Sequence, residues 1–410
     1  MFTPKYIKEG KMLLKGVAKF VHYKRDILSE EKLAEIGEKQ AAFRVLLKSG
    51  DKEKVQEQAK ELQKSCERSL PMPTFPGVRE NVEVFFVAIV IALGIRSYFL
   101  QPFKIPTGSM QPTLNGIIAT GFDQSSADEA NWEKVKPNPV MKIWDLFWRG
   151  RNYVDLVAKE DYLITGGYQR NPFKFFSFTY IERTTPDGSK MKPLRIWAPM
   201  DKVLASQNDP GLGLTRALAE TGARLEMIKG NANTPRFRVS GGAARIAAGT
   251  ILARGYIDTG DQVLVNKFSY HFRPPKRGEV FVFTTQDIEL IMARSPNRQS
   301  QHYIKRLCAV PGDAYEVKPS KELFINGERA KEPGMVRVMS MKDGYNGYAI
   351  FGGDRRNNDG ELKAKEYLAL GDNSLHSWDS RGWGSVPEKN LVGPALFVYW
   401  PFGAHWGLIH

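Results

Sequence analysis

The spacing of apolar and polar positions changes twice along the 410 residues. In the first part of the chain, apolar groups are scattered among lysines and glutamates. Lys11-Met-Leu-Leu-Lys-Gly-Val-Ala-Lys-Phe-Val-His22 reads as an amphipathic surface helix. Ser29–Cys66 is dense in strong helix formers, and Ser29-Glu-Glu-Lys opens it as a cap would. A basic, solvated helical region over 1–81 is the expectation. The pattern then becomes continuous: Val84–Ile95 is uncharged and apolar, and Val82 to Leu100 extends it towards the length of a membrane span. Glu83 and Arg96 stand near its ends, where long side chains reach headgroups, and Tyr98 and Phe99 suit an interfacial belt. The spacing predicts a transmembrane helix over 82–100. The alternative is a buried core helix.

After residue 249 the period shortens to two. Gly260-Asp-Gln-Val-Leu-Val-Asn-Lys-Phe, Gly278-Glu-Val-Phe-Val-Phe and Gly312-Asp-Ala-Tyr-Glu-Val each place a Gly-acid turn before a short alternating or apolar run. Glu322-Leu-Phe-Ile-Asn-Gly-Glu carries a hairpin signal at Asn326-Gly327. Leu391–Trp400 reads as a closing strand. The fold class is therefore mainly β, an antiparallel domain assembled from 101–116 and 250–410. Residues 117–249 fit neither rhythm. They offer one strand near Phe175–Arg183 and a helical stretch near Leu212–Gly230, and read as an inserted α+β segment of unknown role.

Composition changes this picture little. Apolar content of 42% and charged content of 25% are those of a globular chain, so wholesale disorder is excluded. The net charge of +14 invites a nucleic-acid reading, but the basic excess is spread along the chain without a concentrated stripe. Its share before the apolar run points that end to the cytoplasm by the positive-inside tendency. Cys66 and Cys308 fall on opposite sides of the run, which excludes a disulfide framework. The six histidines show no ligand spacing.

Three segments carry candidate chemistry. Directly after the apolar run comes Gln101-Pro-Phe-Lys-Ile-Pro-Thr-Gly-Ser-Met-Gln-Pro-Thr-Leu114, held extended by Pro102, Pro106 and Pro112. Ser109 is a nucleophile only if a base lies within hydrogen-bond reach, and otherwise a turn residue. His376, between Asp372 and Ser377, is too local to make an Asp-His-Ser set. Lys305, in the strand-like Tyr303-Ile-Lys-Arg, is the other option, because desolvation lowers a lysine pKa and a neutral amine can accept a proton. The third segment is the polar loop Gly371-Asp-Asn-Ser-Leu-His-Ser-Trp-Asp-Ser-Arg381, in which Asp379 and Arg381 could pair.

In order and spacing these segments resemble bacterial type I signal peptidases, membrane-anchored serine proteases with a Ser-Lys dyad. The likeness covers roughly half of the chain, 82–116 and 250–401. The resemblance implies Ser109 as nucleophile and Lys305 as general base, with Ser377 hydrogen-bonding the lysine amine. It implies Thr107 and the Ser109 N–H as oxyanion donors, and Asp372, Asp379 and Arg381 as supports. Phe103, Ile105, Met110, Tyr303 and Ile304 would form shallow apolar pockets for the small residues of an A-x-A site. The chain departs from the family in carrying Thr107 where serine is common. Its loop Asn373-Ser-Leu-His-Ser lacks an arginine and a second asparagine. The stretch before Thr250 is long, and so is the helical region before the span.

The resulting expectation is a peptidase that removes signal peptides from exported preproteins, using no metal or organic cofactor. It would sit in the bacterial cytoplasmic membrane as a single-pass protein, with the N-terminus cytoplasmic and the catalytic domain on the periplasmic side. Its partners would be preprotein signal peptides, the lipid bilayer and the protein export machinery, with no nucleic acid. Two alternatives are a processing enzyme for one specialised substrate and an inactive, peptide-binding membrane relative.

Overall fold

The computed structural model describes residues 4–49, 51–69, 76–122, 125–172, 177–204, 211–228, 234–241, 243–295, 300–352 and 357–410. The chain divides into two compact units, Met1–Ala92 and Leu93–His410.

The first unit is helical. Helices α1 (Lys5–Lys24), α2 (Glu30–Ser49) and α3 (Lys52–Ser69) enclose a small core of Val17, Leu28, Ile36, Phe43, Val55 and Leu62. The amphipathic stretch expected on the surface is α1, and it is not left solvated. Leu13, Leu14, Val17, Phe20 and Val21 pack into this core, because one apolar stripe on each helix is removed from water only by bundling. Ser65 donates to Glu35 across α3 and α2 at 2.8 Å. Helix α4 (Pro76–Tyr98) contains the apolar run and is the one helix among the described residues long and apolar enough to cross a membrane. None of its apolar window is buried among the described residues.

The second unit is built around an eight-stranded antiparallel sheet. Its order is Leu100–Lys104, Gln262–Asn266, Leu391–Trp400, Val280–Thr284, His302–Ala309, Glu366–Leu370 and Val386–Pro387, with Gly407–Leu408 beside Leu391–Trp400. The runs after each Gly-acid turn are strands, as the period of two requires. Gly260 has φ +80°, and a Cβ there would lie 2.5 Å from the Ile105 carbonyl oxygen. A side chain would therefore separate the Ser109 segment from the sheet. Register shifts within the Gln262–Asn266 and Leu391–Trp400 pairing and near Leu307 bend the sheet. The bend brings its first strand towards the Lys305 strand, with the Phe103 and His302 rings 5.1 Å apart. A second sheet holds Ala314–Val317, Leu323–Ile325, Glu328–Arg329 and Asp359–Glu361. Asn326 and Gly327, with φ of +51° and +80°, make its hairpin turn.

The stretch 117–249 is largely β, with its own core of Tyr162, Ile164, Ile181, Leu214, Phe237 and Val239 among others. Strand Ile118–Gly121 follows the Ser109 segment, and Ile251–Asp258 returns beside it as its antiparallel partner. The two ends of the insertion are thereby held together. Leu252, Ala253 and Ile257 of the returning strand pack into the insertion's core. The strand expected at 175–183 is Phe178–Thr184, with residues 175 and 176 outside the described residues. The expected helical stretch 212–230 is corrected: only Leu214–Ala219 is helical, and Arg224–Ile228 is a strand. Gly222, at φ +78°, ends the helical turn, and pairing with Arg236–Ser240 satisfies the backbone beyond it. Residues 229 and 230 of that stretch lie outside the described residues.

Candidate active site

The prolines keep the chain extended through Thr107, which has φ −119° and ψ 155°. A single 3-10 turn, Gly108–Met110, follows and presents Ser109. Met110 anchors that turn by complete burial beside Ile105, Leu114 and Val263. The turn is held from the other side by Asn373. Its backbone N–H donates to Ser109 O at 3.1 Å, and its side-chain amide donates to Gly108 O at 3.0 Å. The loop that departs from the resembled pattern thus still clamps the serine backbone.

Lys305 reaches Ser109 from strand His302–Ala309, where it pairs with Phe281. Its Nζ is hydrogen-bonded to Ser109 Oγ at 2.7 Å. Ser109 and Lys305 are 8% and 4% exposed, so bulk water does not screen the contact. Burial of the amine pushes its pKa down to about 8; the Asp379 and Asp372 carboxylates pull it upward, and the Arg381 cation pushes it down. The Thr107 hydroxyl lies 3.4 Å from Ser109 Oγ.

Ser377 is buried in the same place, but its Oγ has no hydrogen-bond partner among the described residues. The expected bond to the lysine amine is therefore not formed. Gly371 is what admits Ser377 here, since a Cβ on it would lie 2.1 Å from Ser377 Oγ and 2.6 Å from Ser109 O.

The acidic supports act at one remove. Asp379 accepts two bonds from the Arg381 guanidinium, at 2.8 and 2.7 Å, and one from the Gly371 N–H at 2.9 Å. Arg381 also donates to Ser374 O at 2.9 Å and to Ala349 O, which ties the loop to the segment beside it. Asp372 is held by Arg306 at 2.9 and 2.6 Å and by the Thr113 hydroxyl. Arg306 and Thr113 were not among the expected site residues. The signal for Arg306 was present: an arginine inside an otherwise apolar strand needs a buried carboxylate.

The expected pocket residues divide. Ile105, Met110 and Ile304 are buried in the core beneath the Ser109 turn. Their apolar side chains fill the space that the bent sheet encloses. Phe103 and Tyr303 are half-buried and keep exposed surface. Cys308, on the same strand as Lys305, is fully buried, and burial pushes its thiol up to about 12.

Comparison with known proteins matches the family model of signal peptidase, peptidase S26, to residues 78–121 and 254–400. Both blocks of the site fall inside that match, and most of the inserted stretch falls outside it. The chain is similar to a signal peptidase I from Leptolyngbya laminosa, 32% identical over 145 residues, which are 35% of this chain and 63% of that one. It is similar to the chloroplastic thylakoidal processing peptidase 1 of Arabidopsis thaliana, 34% identical over 35% of this chain and 38% of that one. A probable signal peptidase I-1 from Synechocystis sp. is 31% identical over 37% of this chain and 67% of its own length. The chain thus spans less than two thirds of the first two relatives.

Proposed function

The chain belongs to the signal peptidase family, peptidase S26, and from that premise we propose that it is a membrane-bound serine endopeptidase that cleaves N-terminal signal peptides from preproteins. The observation that carries this reading is the 2.7 Å contact between a buried, pKa-lowered Lys305 amine and Ser109 Oγ. A serine needs a base in reach, and a lysine can serve only when neutral near the working pH.

In the proposed reaction, the neutral Lys305 amine takes the Ser109 proton as Oγ attacks the carbonyl carbon before the scissile bond. The oxygen that gains charge is met by the Ser109 N–H and the Thr107 hydroxyl. Collapse of the intermediate breaks the C–N bond, and the lysine ammonium returns its proton to the leaving amine. Water, activated by the same amine, then hydrolyses the ester on Ser109. Asp372, Asp379 and Arg381 hold the loop and the lysine environment without touching the reacting atoms. Ser377, whose oxygen is unpaired among the described residues, is assigned to orient the amine after a change of its side-chain rotamer. An extended substrate would add as a strand beside Leu100–Lys104, with Phe103 and Tyr303 against its side chains. Preference for A-x-A belongs to this proposal, as do the outward-facing catalytic domain, the cytoplasmic N-terminus and contact with the export machinery.

The long insertion and the similarity to a thylakoidal processing peptidase support a second reading, in which the enzyme processes a narrow set of substrates. Both readings are tested by one experiment. Detergent-solubilised protein is incubated with a preprotein bearing an A-x-A site, and the cut is mapped by mass spectrometry. Cleavage after the second alanine, lost in Ser109→Ala and Lys305→Ala, is the expected result. Full activity in either variant overturns the assignment. Folded protein that leaves several such preproteins intact favours the narrower enzyme.

A further inference from the structure

The insertion carries a six-stranded sheet whose two faces differ in kind. One face buries Ile164, Ile181, Ile196, Phe237 and Val239 in the core. Alternation along the strands turns the neighbours of those residues to the other side. There the register lines up Arg195, Tyr180, Tyr168 and Arg236 as direct partners across four adjacent strands, Leu194–Ile196, Phe178–Thr184, Tyr162–Arg170 and Arg236–Ser240. Tyr168 and Tyr180 stack at 5.0 Å with their planes 9° apart. The Arg236 guanidinium lies 5.6 Å from the centre of the Tyr168 ring, and that of Arg170 lies 5.3 and 5.9 Å from the two tyrosines. Arg195 stands 5.3 Å from Phe178, which stacks on Trp197 at 6.1 Å.

These cations do not neutralise acids of the protein itself. Arg170, Arg195 and Arg236 are exposed and make no ion pair among the described residues. The acids of this face, Glu182 and Glu226, stand one row further on, in the row that holds Arg238. Contact with a ring supports each guanidinium without using its N–H donors, which stay free to grip a carboxylate by two parallel bonds. The outer arginines of the row are three strand spacings apart, about 14 Å, the length of four extended residues. Positions 170, 195 and 236 are distant in the chain, so only the pairing of the strands gathers their charge.

What occupies the face is indicated by where it ends. Trp197, at its edge, lines one cleft together with Phe103 and Lys104. Those two residues belong to the strand beside which the substrate is proposed to add, so the cleft joins that strand to the arginine face. A signal peptide is basic, then apolar, then small at the cut, and supplies no run of acids. The complementary charge must come from the chain beyond the cut.

We propose that the Arg195–Tyr180–Tyr168–Arg236 row binds an acidic stretch in the mature part of the preprotein, so that substrates rich in Asp and Glu beyond the cut are preferred. The proposal rests on the peptidase reading and gives the insertion a selective role within it.

Two preproteins with one signal peptide and one A-x-A site test it. The first carries Asp and Glu in its mature part; in the second these are Asn and Gln. Cleavage by the detergent-solubilised full chain is followed for the parent, for Arg195→Glu/Arg236→Glu and, as a control on the insertion, for Lys159→Glu. In the parent at low salt, kcat/KM should favour the acidic preprotein about fivefold, through KM, the size that two exposed ion pairs supply. The ratio should fall to one in the double variant and in high salt, and persist in Lys159→Glu. A ratio of one in the parent, or a ratio that the double variant leaves intact, overturns the proposal. If neither preprotein is cut, the peptidase reading fails, and binding decides the matter. Full chain carrying Ser109→Ala is titrated into a fluorescent acidic peptide and followed by anisotropy. Binding that the two arginine changes abolish supports the acidic-segment site; no binding overturns it. Tighter binding of anionic vesicles or of a DNA oligonucleotide of equal charge, lost with the same two arginines, assigns the face to a lipid surface or a nucleic acid and overturns the proposal as well.

Discussion

Arg306 holds both carboxylate oxygens of Asp372, at 2.9 and 2.6 Å, with both side chains fully removed from water. Arg306 follows Lys305 in the strand, and Asp372 opens the loop that carries Asn373 and Ser377. The pair therefore fastens the Lys305 strand to the loop that clamps the Ser109 backbone. Removing one partner leaves a buried charge without compensation, at a cost of about 3–5 kcal/mol. Asp372→Ala and Arg306→Ala are expected to lower the denaturant midpoint strongly, read by urea unfolding, whereas the double change to apolar residues of similar volume recovers much of the loss. Additive losses in the double variant would contradict the pairing.

The Lys305 amine titrates near pH 8 by virtue of burial. Its neutral form is the base in the proposed reaction, so kcat/KM should rise as pH increases through about 8 and level off above it. Rates on a peptide with an A-x-A site across the pH range check this. A profile flat from acid to alkaline pH counts against Lys305 as base.

The same shift has a stability consequence of known sign. The folded-state pKa of about 8 lies below the ordinary lysine value of 10.5, so between these limits the unfolded chain binds more protons. Stability from this group therefore rises with pH across that window, by about 3 kcal/mol in all. Lys305→Met should abolish activity, match or exceed the parent's melting temperature at neutral pH, and flatten the pH dependence between 8 and 10.5. A variant that unfolds more readily than the parent at pH 7 would show that the amine is stabilising after all.

Gly371 touches both partners of the site through the space it leaves vacant. A Cβ there would press on Ser377 Oγ at 2.1 Å and on Ser109 O at 2.6 Å. Displacement of a nucleophile by about 1 Å costs on the order of 10²-fold in rate. Gly371→Ala is expected to fold and to lose activity by about that factor in kcat. Unchanged kcat would mean that Ser109 is not held by this contact.

Ser377 separates structural from positioning roles. Its buried hydroxyl has no partner among the described residues, so Ser377→Ala should leave stability unchanged or slightly raised. If the hydroxyl orients the amine during the reaction, kcat falls, KM holds and the pH profile moves. An unaltered profile with full kcat would remove Ser377 from the site.

The sequence by itself determined the elements whose signals are local. The α4 run, the strands after each Gly-acid turn and the Asn326-Gly327 hairpin follow from side-chain periodicity and backbone preference. These act between near neighbours, so they are legible without knowing the fold. Ser109, Lys305 and the Asp379–Arg381 pair were also legible, the last because both residues sit in one short loop. Only the tertiary structure decided what depends on contacts between distant segments. The 2.7 Å approach of Lys305 to Ser109 spans 196 positions of chain. The Arg306–Asp372 pair and the burial of Ile105, Met110 and Ile304 likewise arise from the bend of the sheet. The inserted stretch was least legible: Arg151–Val157 pairs with Ile251–Asp258 and Tyr162–Arg170 with Arg236–Ser240, partners far along the chain. Helix Pro139–Trp148 reverses the usual rule outright. Its apolar face points outward because the Asp145–Tyr153 bond and the bonds from Trp400 and Phe402 fix its roll, and the last two partners lie far along the chain.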